Sequence, residues 1–260
     1  MIILLATKPY SNRKGSEELL TLKTIDTGSS GNCYILTANN EKLILDCGLP
    51  IKVIKQGLDF DLQGIQAVLV VHKHLDHSLS ANDFKKMGFE VWQPYLDNEK
   101  TKKKRFGSFN VSCFDLTDLQ GNWMHTNADG TECPCYGFLI EHSELGRMIY
   151  ITDTELIKWK FRDINHILLG VNYDKDLLDN ENQSKRNHVY RGHLSIDTAC
   201  EFVKCNSDSL ETVIMCHLSD TNSDVDSFIS KMKNVVPQAN VCVAEKGLEV
   251  ELRKKGECPF

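Results

Sequence analysis

The sequence predicts an α/β fold: two sheets with helices on their outer faces, in a single domain. Three observations carry that expectation. Short strand-like runs come first and pair as hairpins. Segments of helical period are interspersed among them and cluster late. One wholly apolar run, QAVLVV, reads as a strand covered on both faces, which places it inside a sheet with layers on either side.

Residues 1–20 read as an N-terminal extension, polar and turn-rich over 8–20, and residues 21–260 as the folded domain. LKTIDT is a strand leading into GSSGN, a turn built from Gly and Ser. CYILTANNEKLILDCG is a hairpin reversing at Asn39-Asn40. PIKVIKQGL opens on Pro and closes on Gly, the punctuation of a short helix. After QAVLVV, SANDFKKMG reads as a helix capped by Ser80. The stretch 106–124 has no clear period. CYGFLIEH and GRMIYITDT form a second hairpin across SELG, and 174–187 is polar. SIDTACEFVKCN has helical spacing, with Ile196, Ala199, Cys200 and Val203 on one face. ETVIMCHLSD is a strand entering a polar loop, DVDSFISKMKNVV an amphipathic helix, and ANVCVAE and LEVELRK the last strands.

Composition narrows the function classes. The 260 residues carry a formal net charge of -6, with 25% charged and 41% hydrophobic residues. A polyanion such as duplex DNA is usually held by a basic surface, because neutralising phosphates releases counterions. The one basic run, KTKKKR at 100–105, reads as a solvated loop. Ten cysteines include no C-x-x-C pair and no disulfide-like spacing. IILLA near the start lacks the basic lead-in and cleavage site of a secretory signal, and no run approaches a membrane span. The expectation is a reduced, cytoplasmic protein without a membrane partner.

The densest chemistry lies in AVLVVHKHLDHS, residues 67–78, which holds three of the nine histidines beside Asp76. Alternation along a strand puts His72, His74 and Asp76 on one side, while His77 has the wrong parity. If all four converge, the chain turns out of the strand near Leu75. Imidazole nitrogen and carboxylate oxygen suit a borderline ion such as Zn²⁺, and four such side chains in this order suggest two adjacent centres. Completing two centres needs more donors at strand ends. His125 in WMHTNADG, Asp153 in MIYITDTE and His217 in VIMCHLSD are the candidates, with Asp153 able to bridge through its two oxygens. Taken singly, His217 reads as an ordinary core histidine, and His142 and His166 as surface or strand-end residues.

In order, HKHLDH, a single His, ITDT and CHLSD resemble the metallo-β-lactamase superfamily, whose signature is H-x-H-x-D-H. The resemblance runs from about Leu22 to Asn222. It implies an αββα sandwich of two mixed sheets flanked by helices, with two divalent metal ions at one edge, zinc first and manganese second. It assigns His72, His74 and His125 to one ion, Asp76, His77 and His217 to the other, and Asp153 between them. LILDCG matches the family's early Asp motif, so Asp46 is expected to support the ligand loop. GSSGN, with Ser29, Ser30 and Asn32, matches the short turn beneath the site.

RGHLSIDTA and VIMCHLSDTNSD resemble the ribonuclease Z and WalJ-like branch, in which a histidine before the last metal ligand protonates the leaving oxygen. His193 matches that position, with His188 a competitor, and Ser195 and Ser219 belong to the same elements. The implied reaction is phosphodiester hydrolysis, with Asp76 orienting the attacking water and His193 as proton donor. β-Lactam hydrolysis, glyoxalase-type thioester hydrolysis and flavo-diiron redox chemistry fit less well. The tRNA-binding arm and the β-CASP insertion have no room here, which favours a small nucleotide over nucleic acid. The phage anti-Pycsar phosphodiesterases, homodimers that open 3′,5′-cyclic nucleotides, are similar in size and motif order. A WalJ-like or ribonuclease Z-like nuclease is the alternative, and a non-catalytic metal-binding member a third. DGTECPCYG (129–137) departs from the compact pattern. Cys133 and Cys135 make a poor metal pair, and the loop reads as a rigid wall where Asn127, Asp129 and Tyr136 are placed to meet substrate.

Overall fold

The computed structural model describes residues 20–97, 102–178, 190 and 192–252. The expected extension before Leu20, His188, and the first two residues of the basic run lie outside the described residues. One sheet is built from β1 (Leu20–Asp26), β2 (Cys33–Ala38), β3 (Glu41–Leu45), β4 (Ile65–Leu69), β5 (Val91–Trp92) and a late strand, β13 (Glu249–Glu251). Its order is β13-β1-β2-β3-β4-β5. The second sheet holds β6 (Lys103–Phe106), β7 (Phe109–Asp115), β8 (Tyr136–His142), β9 (Gly146–Ile151), β10 (His166–Gly170), β11 (Thr212–Cys216) and β12 (Asn240–Val243). These run in the order β12-β11-β10-β9-β8-β7-β6. Both sheets are mixed: hairpins give antiparallel pairs, and β3-β4-β5 and β9-β10-β11-β12 are parallel.

The two sheets face each other across a core that includes Leu22, Leu36, Leu43, Phe138 and Tyr150. Helices α1 (Ile51–Gly57) and α3 (Ala81–Lys86) cover the outside of the first sheet through Ile54 and Phe84. The outside of the second is covered by α5 (Ile196–Cys205) and α6 (Val225–Val235) through Phe202, Val203, Phe228 and Met232. Two single α-turns also lie among the described residues, α2 (Leu75–Ser78) and α4 (Lys175–Leu178). The αββα expectation therefore holds.

Several local expectations need correction. The first strand starts at Leu20, a buried residue, two positions before the sequence pattern begins. Ser80 precedes α3 without capping it; its hydroxyl donates instead to the Leu49 carbonyl at 2.5 Å. The stretch without a clear period contains the whole of β7, and Lys103–Arg105 of the basic run lie in edge strand β6 rather than in a loop. Charged side chains on such an edge discourage pairing with a second chain. His166 opens β10 but is buried, not a surface residue. Among the described residues, no helix is long and apolar enough to cross a membrane.

Candidate metal centre

The chain leaves β4 at Leu69, earlier than strand parity suggests. Asp46 is the reason. Its backbone N–H donates to the Leu69 carbonyl at 2.8 Å, and its Oδ1 accepts from the Val71 N–H at 3.0 Å. A side chain thus replaces the strand ladder just where HKHLDH begins. Asp46 has φ +58, a left-handed conformation that a non-glycine residue adopts at some cost. His74 then precedes α2, whose single turn carries Asp76 and His77. That turn, not alternation, solves the parity problem of His77.

The turn packs on two glycine-containing segments. A Cβ at Gly48 would lie 1.7 Å from the Asp76 carbonyl oxygen, so only glycine admits the ligand loop. From the GSSGN turn, the Asn32 N–H donates to that same carbonyl at 2.7 Å. The Asn32 amide also reaches His77 Nε2 at 3.3 Å and Gly28 O at 3.0 Å. Ser29 lines the mouth of the site, whereas Ser30 is exposed and outside the lining.

The remaining candidates arrive from the second sheet. His125 lies in the connection between β7 and β8, Asp153 just past β9, and His217 directly after β11. Together the side chains form two donor groups, His72-His74-His125 and Asp76-His77-Asp153-His217, with the donor atoms of each group within 4.8 Å of one another. His125 Nε2 lies 3.0 Å from His74 Nδ1, and both face His72. In the second group His77 Nε2 is 3.0 Å from Asp153 Oδ2 and 3.4 Å from Asp76 Oδ2. The groups meet at Asp153 Oδ2, which is also 3.7 Å from His72 Nε2. One oxygen therefore stands between them, while Oδ1 turns to His193 Nδ1 at 3.1 Å and His217 Nδ1 at 3.5 Å.

Hydrogen bonds aim the rings from behind. His77 Nδ1 meets Asp46 Oδ2 at 2.5 Å, and Tyr150 donates its hydroxyl to the same oxygen at 2.5 Å. His74 Nε2 meets Asn127 Oδ1 at 3.2 Å, and His125 Nδ1 meets Gly192 O at 3.2 Å. Cys135 Sγ donates to the Asp153 carbonyl at 3.1 Å and sits 3.8 Å from His72 Nδ1. His217, at φ +56, is gripped by Asn172 Nδ2 on its carbonyl and by Thr27 Oγ1 on its N–H. A ligand histidine commonly has its far nitrogen fixed in this way.

The electrostatics point to a cation. Burial pushes the imidazoles of His72 and His125 down, His125 to about 3. Burial would lower His77 too, but Asp46 and Asp153 overcome it and raise its pKa well above the ordinary value. Burial would raise Asp76 and Asp153, yet His217 and His77 hold both carboxyls well below the carboxylate range. Two buried nitrogens, His72 Nε2 and His217 Nε2, have no hydrogen-bond partner. An orphaned buried polar atom costs about 1–3 kcal/mol. Nitrogen and carboxylate donors with two orphans aimed inward fit divalent metal ions of the zinc type.

Some candidates serve other ends. Ser195 accepts from the Thr198 N–H at 3.2 Å and caps α5. Asp129 accepts from Thr131 in its own loop. Cys133 and Cys135 are both buried, and neither joins a donor group. Ser219 lines the mouth. The supporting residues that sequence reasoning missed are Thr27, Tyr150 and Asn172. Asn172 alone had a visible signal, since it closes the apolar strand HILLGVN as the donors close theirs.

A family model described as the metallo-beta-lactamase superfamily matches residues 26–109. Over that stretch, which holds Asp46 and the HKHLDH donors, the chain resembles the metallo-β-lactamase superfamily of metal-dependent hydrolases. It is similar to the exodeoxyribonuclease WalJ of Streptococcus pneumoniae, 23% identical over 250 residues covering 84% of this chain and 88% of that one. Among solved structures, the metallo-β-lactamase fold protein YhfI of Bacillus subtilis superposes with a TM-score of 0.64 at 16% identity, covering 90% of this chain and 100% of that one. Yeast PDE1 gives 0.61 at 13%, with coverage of 90% and 100%. At these identities the structures speak for the fold.

Proposed function

We propose that this chain is a phosphodiesterase of the metallo-β-lactamase superfamily acting on a small nucleotide, with a 3′,5′-cyclic nucleotide as the preferred substrate. The observation that carries the hydrolytic part is His193. It belongs to neither donor group, retains some exposure, and is fixed through Nδ1 by Asp153 Oδ1 at 3.1 Å. Its ring stacks on His217 at 5.4 Å, beside the donors and facing the same cavity. An imidazole so placed is a proton donor for a leaving oxygen.

His72, His74 and His125 would hold one ion and Asp76, His77 and His217 the other, with Asp153 shared. Two such ions, zinc in first place and manganese in second, supply Lewis acidity toward phosphoryl oxygens and water. The residues do the rest. Asp76 accepts a hydrogen bond from the attacking water and aligns it. The water oxygen forms the new P–O bond and gives up its proton to solvent, while the ester P–O bond on the opposite side breaks and His193 passes its own proton to the departing oxygen. Asp153 steadies the imidazolium before transfer.

The choice of a small substrate is supported by the cavity over the donors. It measures about 570 Å³, and no Lys or Arg lines it among the described residues. A polyanion gains its affinity from such cations. A second reading, an exodeoxyribonuclease, is favoured by the likeness to WalJ across most of both chains. A homodimer accompanies the first reading, and light scattering checks it.

One assay separates the two. Metal-loaded protein is offered 3′,5′-cyclic purine and pyrimidine nucleotides, 5′-phosphorylated single-stranded DNA and RNA, with His74→Ala as the control. Opening of the cyclic nucleotides is expected. Degradation of DNA with inert cyclic nucleotides transfers the assignment to the nuclease.

A further inference from the structure

A second cavity, of about 460 Å³, lies beside the donor cavity and takes no part in holding the metals. Its lining includes Asp115, the last residue of β7, and Tyr136, the first of β8, which pair directly across the sheet. The register that pairs Phe138 with Tyr150 brings Tyr136 level with Thr152, one residue before Asp153. The cavity therefore opens at the same rim of the sheet as the metal centre. Trp123, also in the lining, precedes His125 by two residues. Two residues of chain span at most about 7 Å, so the aromatic wall and a donor histidine lie within the length of one nucleotide.

The chemistry of the lining is selective. Trp123 and Tyr136 are half-buried, with ring centroids 5.2 Å apart and planes tilted by 57°. They offer faces for a flat ring to stack on. Asp115 Oδ2 takes the Lys158 ammonium at 3.1 Å and the Thr117 hydroxyl at 2.7 Å. Asp115 Oδ1 has no side-chain partner among the described hydrogen bonds. Lys158 is spent on Asp115, Thr117 and the Asp118 carbonyl, so it is a poor anchor for a free anion. Asp97 and Asp118 add further negative charge to the lining, against Lys102. Phosphate is excluded here, and a neutral ring carrying N–H donors is favoured. A carboxylate accepts readily from the exocyclic amino group of a base.

We infer that this cavity is a nucleobase subsite, in which an amino-bearing base stacks on Trp123 and Tyr136 and donates to Asp115. It rests on the proposed nucleotide reading, because it supplies that site with its base-recognising half. A phosphodiester held at the donor groups then extends its base along residues 123–125 into the cavity, so its affinity does not depend on Lys or Arg gripping a polymer backbone.

The test uses nucleosides, which carry no phosphate and undergo no turnover. Zinc-loaded full-length protein is titrated with adenosine, cytidine and uridine, and binding is followed by saturation-transfer NMR on the nucleoside signals. Adenosine or cytidine is expected to bind at least ten-fold more tightly than uridine. Trp123→Leu and Asp115→Asn should each weaken that binding about ten-fold, with folding checked by an unchanged circular dichroism spectrum. If Trp123→Leu fails to fold, Tyr136→Leu takes its place. Absence of binding by all three nucleosides, or equal affinities unaffected by the substitutions, overturns the subsite. The two readings fail separately. Hydrolysis of bis(p-nitrophenyl) phosphate without nucleoside binding removes the subsite and keeps the phosphodiesterase. Selective nucleoside binding without hydrolysis of any phosphodiester does the reverse.

Discussion

At the scale of single residues, the site fixes its histidines by what their second nitrogen touches. Those in the two donor groups turn that nitrogen to a neutral or anionic protein group, as His74 does to Asn127 and His77 to Asp46. His193 is likewise held through Nδ1, by Asp153, but it belongs to neither donor group and faces the open cavity. His193→Ala should therefore lower turnover by about 10²–10⁴-fold while two equivalents of metal stay bound. Loss of metal by elemental analysis would make His193 a structural support instead. The donors were legible in the sequence because imidazoles and carboxylates at the ends of apolar runs have little packing use. Their supports were not. Tyr150 lies in a strand as any core aromatic does, and its hydroxyl reaches Asp46 over a long sequence separation. Nothing local in MIYIT distinguishes it from a residue buried for its ring alone.

At the scale of elements, turns and caps place the donors more than strands do. The hairpins and the helices α5 and α6 follow from turn signals and period, and Asp224 caps α6 through the Ser227 N–H. What period cannot show is where a ladder stops. Asp46 ends β4 by substituting its carboxylate for a strand partner, a long-range event with no trace in QAVLVV itself. Gly48 is the other hidden device. Gly48→Ala would drive a methyl into the Asp76 carbonyl, displacing α2. The expected result is loss of the metal shared by Asp76 and His77, seen by metal analysis of purified protein, together with a lower melting temperature. Retention of both ions at full affinity would show that the loop can shift without cost. Ser195→Ala makes the contrast. It removes a helix cap, worth about 1 kcal/mol, and should lower the denaturation midpoint while leaving KM for the nucleotide where it was. A rise in KM without loss of stability would return Ser195 to the substrate.

At the scale of the whole molecule, the metal centre is also the seam between the two sheets. The first sheet delivers Asp46 and the HKHLDH loop, the second delivers His125, Asp153 and His217, and the shared core beneath is apolar. Without ions, that seam is held by protons. His77 has a raised pKa because Asp46 and Asp153 outweigh its burial. Its contribution to stability is thus fully present below the ordinary histidine value of about 6.5 and is lost as pH rises through the raised folded value. His72 and His125, depressed by burial, are neutral in both folded and unfolded chains above about 6.5 and drop out of that window. Asp76 and Asp153 are lowered, so their contribution persists at neutral pH and fails only toward strong acid. The metal-free fold should accordingly weaken from pH 6.5 to 8.5. Metal binding moves the other way, since each ion displaces protons from its nitrogen donors and gains affinity as they become scarce. At a hundred-fold excess over Kd, ions bound only to the folded state add about 2.7 kcal/mol each, or about 5–10 °C in melting temperature for a chain of this size. The gap between zinc-loaded and chelator-treated protein should therefore widen steadily across that window in calorimetric melts. A gap that stays constant or narrows would mean that protons do not hold the seam, and that the two sheets close over the site without them.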